Sequence, residues 1–197
     1  RIEQWVKNFF VFAPLFFSGN ITNFDLLIKS FFAFLVFSFA ASAVYILNDY
    51  SDIESDRKHP EKSKRPLASG AISKTTAVVV FVGLIALCVG LIIFGGSYFH
   101  LNSWKFASII AFYFFMNIAY TFKLKHVAII DVCIISIGFV LRVLAGGYAT
   151  GIFISQWAIL LTFVLALVLA LGKRRGELIN AQISGKTRKA LDGYNVQ

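Results

Sequence analysis

The residues of this chain best suited to chemistry are gathered between positions 48 and 70, which read NDYSDIESDRKHPEKSKRPLASG. Asn48, Asp49, Asp52 and Asp56 stand there at offsets 0, 1, 4 and 8. On a helix, residues three and four apart share a face, so Asp49, Asp52 and Asp56 would line one edge with Asn48 beside them and Glu54 turned away. Carboxylates that close repel one another unless a cation sits among them. Mg2+ is the natural candidate, because it takes hard oxygen ligands and usually binds through one or two carboxylates plus substrate phosphates. Directly behind the acids come Arg57, Lys58, Lys62, Lys64 and Arg65, whose side chains can hold phosphate oxygens. Acids for a metal followed by bases for an anion describe a diphosphate–metal site. The alternative is a polar loop with solvated charges. The helical spacing and the apolar run immediately before it favour the site.

The elements that must position these residues are membrane helices. Of 197 residues, 58% are hydrophobic and only 15% charged, which is more apolar sequence than one soluble core could bury. The expected fold is therefore all-α, a polytopic transmembrane helix bundle. Six spans are read at residues 6–18, 25–47, 75–94, 104–121, 127–148 and 154–171. The first is short and carries Pro14. Residues 48–74 are expected as an acidic loop, and 173–197 as a loop after the sixth span, all in one domain that begins without Met and reads as a fragment of a longer protein. No cleavable signal pattern is visible in its opening residues.

Charge gives the expected orientation. With the start of the chain cytoplasmic, the inner segments hold Lys7, the bases from Arg57 to Lys74, Lys123 and Lys125, then Lys173, Arg174, Arg175, Lys186, Arg188 and Lys189. The outer loops hold no Lys or Arg, as the positive-inside rule requires. Lys29 and Lys105 fall near outer helix ends, where long side chains can snorkel. The net charge of +9 then reports orientation and anionic lipid, not nucleic acid. Three cytoplasmic polar segments can converge on one substrate in a multi-pass cell-membrane protein. Cys88 and Cys133 fall inside apolar stretches and suit neither a disulfide nor a metal site.

Arg142, in GFVLRVLAGG, lies mid-span, where a charge is costly and faces a cavity or another polar group. Asp131 precedes it by eleven residues, which places both on one helical face roughly 16 Å apart. Structural pairing with another helix and substrate contact both remain open for Arg142. Gly146 and Gly147 are expected to end or loosen that helix. Lys123 and Lys125, in the turn YTFKLKH, suit either phosphate or a membrane anchor. In GKRRGEL, Lys173, Arg174 and Glu177 would share a helical face.

With these residues assembled, the chain resembles the UbiA superfamily of intramembrane prenyltransferases over nearly its whole length. The specific part is NDxxDxxxD, here Asn48, Asp49, Asp52 and Asp56, followed by Arg57 and by Arg65–Pro66–Leu67 with Gly70. The resemblance implies a nine-helix bundle around a cavity open to the membrane and a diphosphate donor bound through Mg2+ on Asn48, Asp52 and Asp56, with Asp49 at hand. Typical members carry a second acidic motif after the sixth helix, where this chain has Lys173, Arg174 and Glu177. That departure, with QWVKNFFVFAPL and LKHVAIIDV, is similar to the branch that moves a 5-phosphoribosyl group from phosphoribosyl diphosphate to a polyprenyl phosphate of decaprenyl-phosphate type, for cell-envelope synthesis. In that branch Arg57, Lys64 and Arg65 would bind phosphates, with Lys7 and Lys123 as further contacts. Lys173 and Arg174, beside Glu177, would take the 5-phosphate or the lipid phosphate. Two rivals stand beside this reading: prenyl transfer from a prenyl diphosphate to a small acceptor, and a transporter fragment. The second predicts broken helices in corresponding halves, which the sequence does not show.

Overall fold

The computed structural model describes residues 2–58, 62–99, 103–127 and 129–184. Among the described residues, five helices are long and apolar enough to cross a membrane, one fewer than expected. They belong to α2 (Phe24–Ser51), α4 (Lys74–Tyr98), α5 (Ser103–Phe122), α6 (Ile130–Thr150) and α7 (Gln156–Ser184). Two short helices complete the set, α1 (Ala13–Phe17) and α3 (Ile53–Arg57). Side-chain caps start two of the spans: Asn23 accepts from the Leu26 amide at α2, and Ser73 from the Thr76 amide at α4.

α2 and α6 form the centre. Most of their apolar windows are buried, whereas α4 and α7 show nearly all of theirs to the surroundings. The reason lies in side-chain size. The inner face of α2 carries Ser38, Ala40, Ala41 and Ala43, and that of α6 carries Ser136, Gly138, Ala145 and Gly146, all buried. Small residues let helix backbones approach closely, and close packing is what holds helices together in lipid. α4 and α7, rich in Val, Leu and Ile on all sides, suit lipid contact.

The stretch expected as the first span is not an α-helix. Residues Ile2–Phe12 form a 3-10 helix that leads into α1, with Pro14 in the first turn. Its inward residues recur every third position: Trp5, Asn8, Val11 and Pro14. That is the period of a 3-10 helix, whose residues at i and i+3 eclipse. Three residues at about 2.0 Å rise match four α-helical residues at about 1.5 Å, so the rungs stay in step with both neighbours. Trp5 Nε1 donates to Ser42 Oγ (3.1 Å), and Asn8 Nδ2 to Ser38 Oγ (2.9 Å), four residues apart on α2. On α6, Arg142 Nε donates to Asn8 Oδ1 (2.8 Å), and four residues on, Gly146 lies against the Val11 carbonyl.

This contact corrects the reading of the glycines. α6 runs unbroken past Gly146 and Gly147 to Thr150. A Cβ on Gly146 would stand 1.9 Å from the Val11 carbonyl oxygen, so the glycine is there for close approach and not to end the helix. Two further differences concern the polar ends. α2 extends through Ser51, so Asn48 and Asp49 lie in its last turn and not in a loop. α7 likewise carries Lys173, Arg174 and Glu177 as helix. Lys186, Arg188 and Lys189 fall outside the described residues. Lys29, expected to snorkel, is paired with Asp25 at 2.7 Å. Cys88 and Cys133 are free thiols.

Candidate active site

The acid-rich motif is built where α2 ends. The chain breaks helix at Asp52, whose amide still donates to Asn48 O (3.0 Å), and resumes in α3, where the Asp56 amide donates to Asp52 O (2.8 Å). The near-continuous turn preserves the helical spacing of the acids. Arg65 returns from the following segment and places Nη1 between two of them, 2.6 Å from Asp56 Oδ2 and 3.2 Å from Asp49 Oδ1. Asp56 is almost fully buried. Glu54 is exposed and meets Arg57 at 3.4 Å, while Arg57 Nε donates to Ala68 O (3.2 Å) and so ties α3 to the turn after Arg65.

The turn between α5 and α6 closes the site from the other side. Lys125 Nζ lies 2.5 Å from Asp52 Oδ1, and the Thr121 hydroxyl donates to Asn48 Oδ1. Each of the four motif side chains thus has one oxygen bonded to a side chain from elsewhere in the chain. Among the described residues, no three Asp, Glu, His or Cys side chains converge as a ready-made metal cluster. The donor set is nevertheless all oxygen, partly buried and paired with the two bases Arg65 and Lys125. Its chemistry suits a hard cation that completes its shell from other oxygen ligands.

A second charged group stands at the same end of the bundle. Asp131, with no exposed surface, receives a two-pronged bond from Arg174: Nε to Oδ2 at 2.6 Å and Nη2 to Oδ1 at 3.0 Å. Tyr120 Oη donates to the same Oδ1 (2.7 Å), and Arg174 Nη1 also meets Glu177 at 2.5 Å. Sequence reading set Arg174 on one face with Glu177, as observed, but did not foresee its bond to Asp131. The available signal was that an acid at the start of one apolar span and an arginine at the end of another each need a partner in lipid. Thr121 carried no such signal.

Arg142 sits far from both groups, buried in the middle of the bundle. Besides Asn8 it donates to Gly138 O (2.7 Å), and its guanidinium lies 5.0–5.4 Å from the ring centres of Phe37, Tyr113 and Phe139. Cation–π contact and two hydrogen bonds stabilise the charge there. The structure does not bring Arg142 to Asp131 or to the acid-rich motif. Lys7, Lys64, Lys123 and Lys173 are exposed.

An all-helical, multi-pass membrane protein with an acid–base cluster where its helices end is the class that this fold and site define. Within that class the chain belongs to the UbiA prenyltransferase family, whose model matches residues 9–173. It is 40% identical, over 98% of its length, to decaprenyl-phosphate phosphoribosyltransferase of Corynebacterium glutamicum. It is 39% identical, over 98% of its length, to the protein of that name from Mycobacterium tuberculosis. The chain spans 58% and 64% of those two relatives. A solved UbiA homolog from Archaeoglobus fulgidus, described as bound to DMAPP and Mg2+, superposes with a TM-score of 0.72 at 19% identity, over 95% of this chain and 63% of that one. That likeness supports the helical fold.

Proposed function

We propose that this protein transfers a 5-phosphoribosyl group from phosphoribosyl diphosphate to a polyprenyl phosphate at the cytoplasmic face of the cell membrane, releasing diphosphate, for a lipid-linked sugar of the cell envelope. The observation that carries this reading is the identity of about 40% to decaprenyl-phosphate phosphoribosyltransferases across 98% of the chain. The basic part of α7, with Lys173 and Arg175 exposed, agrees with a donor richer in phosphate than a prenyl diphosphate.

Asn48, Asp52 and Asp56, with Asp49 adjacent, would hold Mg2+, which supplies charge neutralisation to a diphosphate leaving group. Arg65 and Lys125 would turn from the carboxylates to the donor's phosphates as it binds, keeping every charge paired. Arg57 and Lys64 would add phosphate contacts on the exposed side, with Lys7, Lys123 and Lys173 at the rim. Breaking the anomeric carbon–oxygen bond leaves positive charge on the ribose and negative charge on the diphosphate, and the bases favour that separation. The lipid phosphate oxygen is already anionic, so it attacks without a general base.

The test is to give the whole protein phosphoribosyl diphosphate, Mg2+ and a polyprenyl phosphate and to follow lipid-linked ribose phosphate. Asp52→Ala should cost about 100-fold or more in turnover. Full activity in that variant removes the metal assignment. If wild type instead consumes a prenyl diphosphate with an aromatic acceptor, the donor assignment falls while the family stands.

A further inference from the structure

The group of Tyr120, Asp131, Arg174 and Glu177 has chemistry that the proposed reaction does not use. Its arginine is the residue that sequence alone would assign to a substrate phosphate. In the structure that residue is 7% exposed, and its three side-chain nitrogens are directed at two carboxylates. A guanidinium in a two-pronged bond to a fully buried carboxylate is oriented by it and costly to withdraw. Asp131 also accepts from Tyr120, and the next residue, Thr121, is the one bonded to Asn48. The end of α5, the start of α6 and the later part of α7 therefore meet at one carboxylate, one residue removed from the acid-rich motif.

We propose that Asp131 is a positioning residue: it anchors Arg174 and Tyr120 so that α7 fixes the end of α5, and with it the Thr121 hydroxyl that orients Asn48. Arg174 then acts through Asp131 and is not a phosphate ligand. Lys173 and Arg175, exposed on either side of Arg174 in sequence, are left to meet anions. The inference rests on the proposed diphosphate–metal site.

The two roles for Arg174 predict opposite outcomes when Asp131 loses its charge. A phosphate-binding arginine released from Asp131 would bind diphosphate as well or better. A positioning network would bind it more weakly. The probe is Mg2+ with inorganic diphosphate, titrated onto the whole purified protein and read by calorimetry, with the thermal midpoint as a check on folding. Asp131→Asn, Arg174→Gln and the double variant should each weaken binding about tenfold, the double no more than either single, because one network is lost in all three. Tyr120→Phe, which removes one hydroxyl and no charge, should weaken it severalfold with the midpoint preserved. It also keeps the question answerable if the charge variants do not fold. Unchanged or tighter binding in Asp131→Asn, or in Tyr120→Phe, overturns the positioning role. Additive losses in the double variant overturn it as well. Wild type that binds no Mg2+–diphosphate would instead overturn the proposed site on which this inference rests.

Discussion

Gly146→Ala should detach the N-terminal segment from α6. The added Cβ would lie 1.9 Å from the Val11 carbonyl oxygen and 2.9 Å from its carbon, where ordinary contact begins near 3.4 Å. The obstacle is backbone and cannot swing aside, so the 3-10 helix must retreat by about 1.5 Å, from 1.9 Å toward 3.4 Å. Three residues earlier, the same retreat stretches the 2.8 Å bond between Arg142 and Asn8 beyond hydrogen-bond range. Overpacking costs about 1–3 kcal/mol, and a lost hydrogen bond to a buried charge a further ~1.5–3 kcal/mol. A total near 2.5–6 kcal/mol is expected from these two effects. Unfolding of the purified protein in mixed detergent micelles would measure it. Gly83→Ala is the control, because nothing lies within 4 Å of its added Cβ. In a helix that change alone is worth up to about 1 kcal/mol in favour of alanine. If the two variants unfold alike, the 3-10 segment does not pack on α6 as described, and its register argument fails.

Three further outcomes follow from the same geometry. Arg142→Lys keeps the charge but loses the planar fork over Phe37 and Tyr113 and the bond to Asn8. It should lower unfolding stability by about 1–3 kcal/mol and expose the N-terminal segment to protease. Thr121→Val replaces the hydroxyl bonded to Asn48 with a methyl of similar size. The Mg2+ needed for half-maximal transfer should rise about tenfold while the thermal midpoint holds, and an unchanged Mg2+ requirement would remove Thr121 from the site. Lys125→Met leaves Asp52 without its counter-charge and, on the proposed function, the donor without one phosphate contact. A donor titration should show KM raised about tenfold with kcat less affected, and a fall in kcat with KM unchanged would mean that Lys125 acts only in the transition state.

Much of the molecule is legible in the chain itself. Long apolar runs bounded by charges dictate membrane helices, because in lipid every backbone amide must be satisfied within its own segment. The offsets of Asn48, Asp49, Asp52 and Asp56 put Asp49 and Asp56 within reach of one arginine, because α2 and α3 retain helical spacing across the break at Asp52, although among the described residues no three acids converge. The bases behind them, and the NDxxDxxxD pattern, point to diphosphate chemistry without any knowledge of packing.

What tertiary structure alone decided is who pairs with whom. Asp131 and Arg142 share a helix and a face, yet Asp131 goes to Arg174, 43 residues on, and Arg142 to Asn8, 134 residues back. The conformation of residues 2–12 was decided in the same way. Their apolar composition is compatible with α-helix, and the 3-10 form is selected by the step of Ser38 and Ser42 on α2 and of Arg142 and Gly146 on α6. The physical reason is common to both. A buried charge or amide in a low-dielectric bundle must find a partner, and which partner lies within reach depends on how the helices cross, which no local pattern encodes.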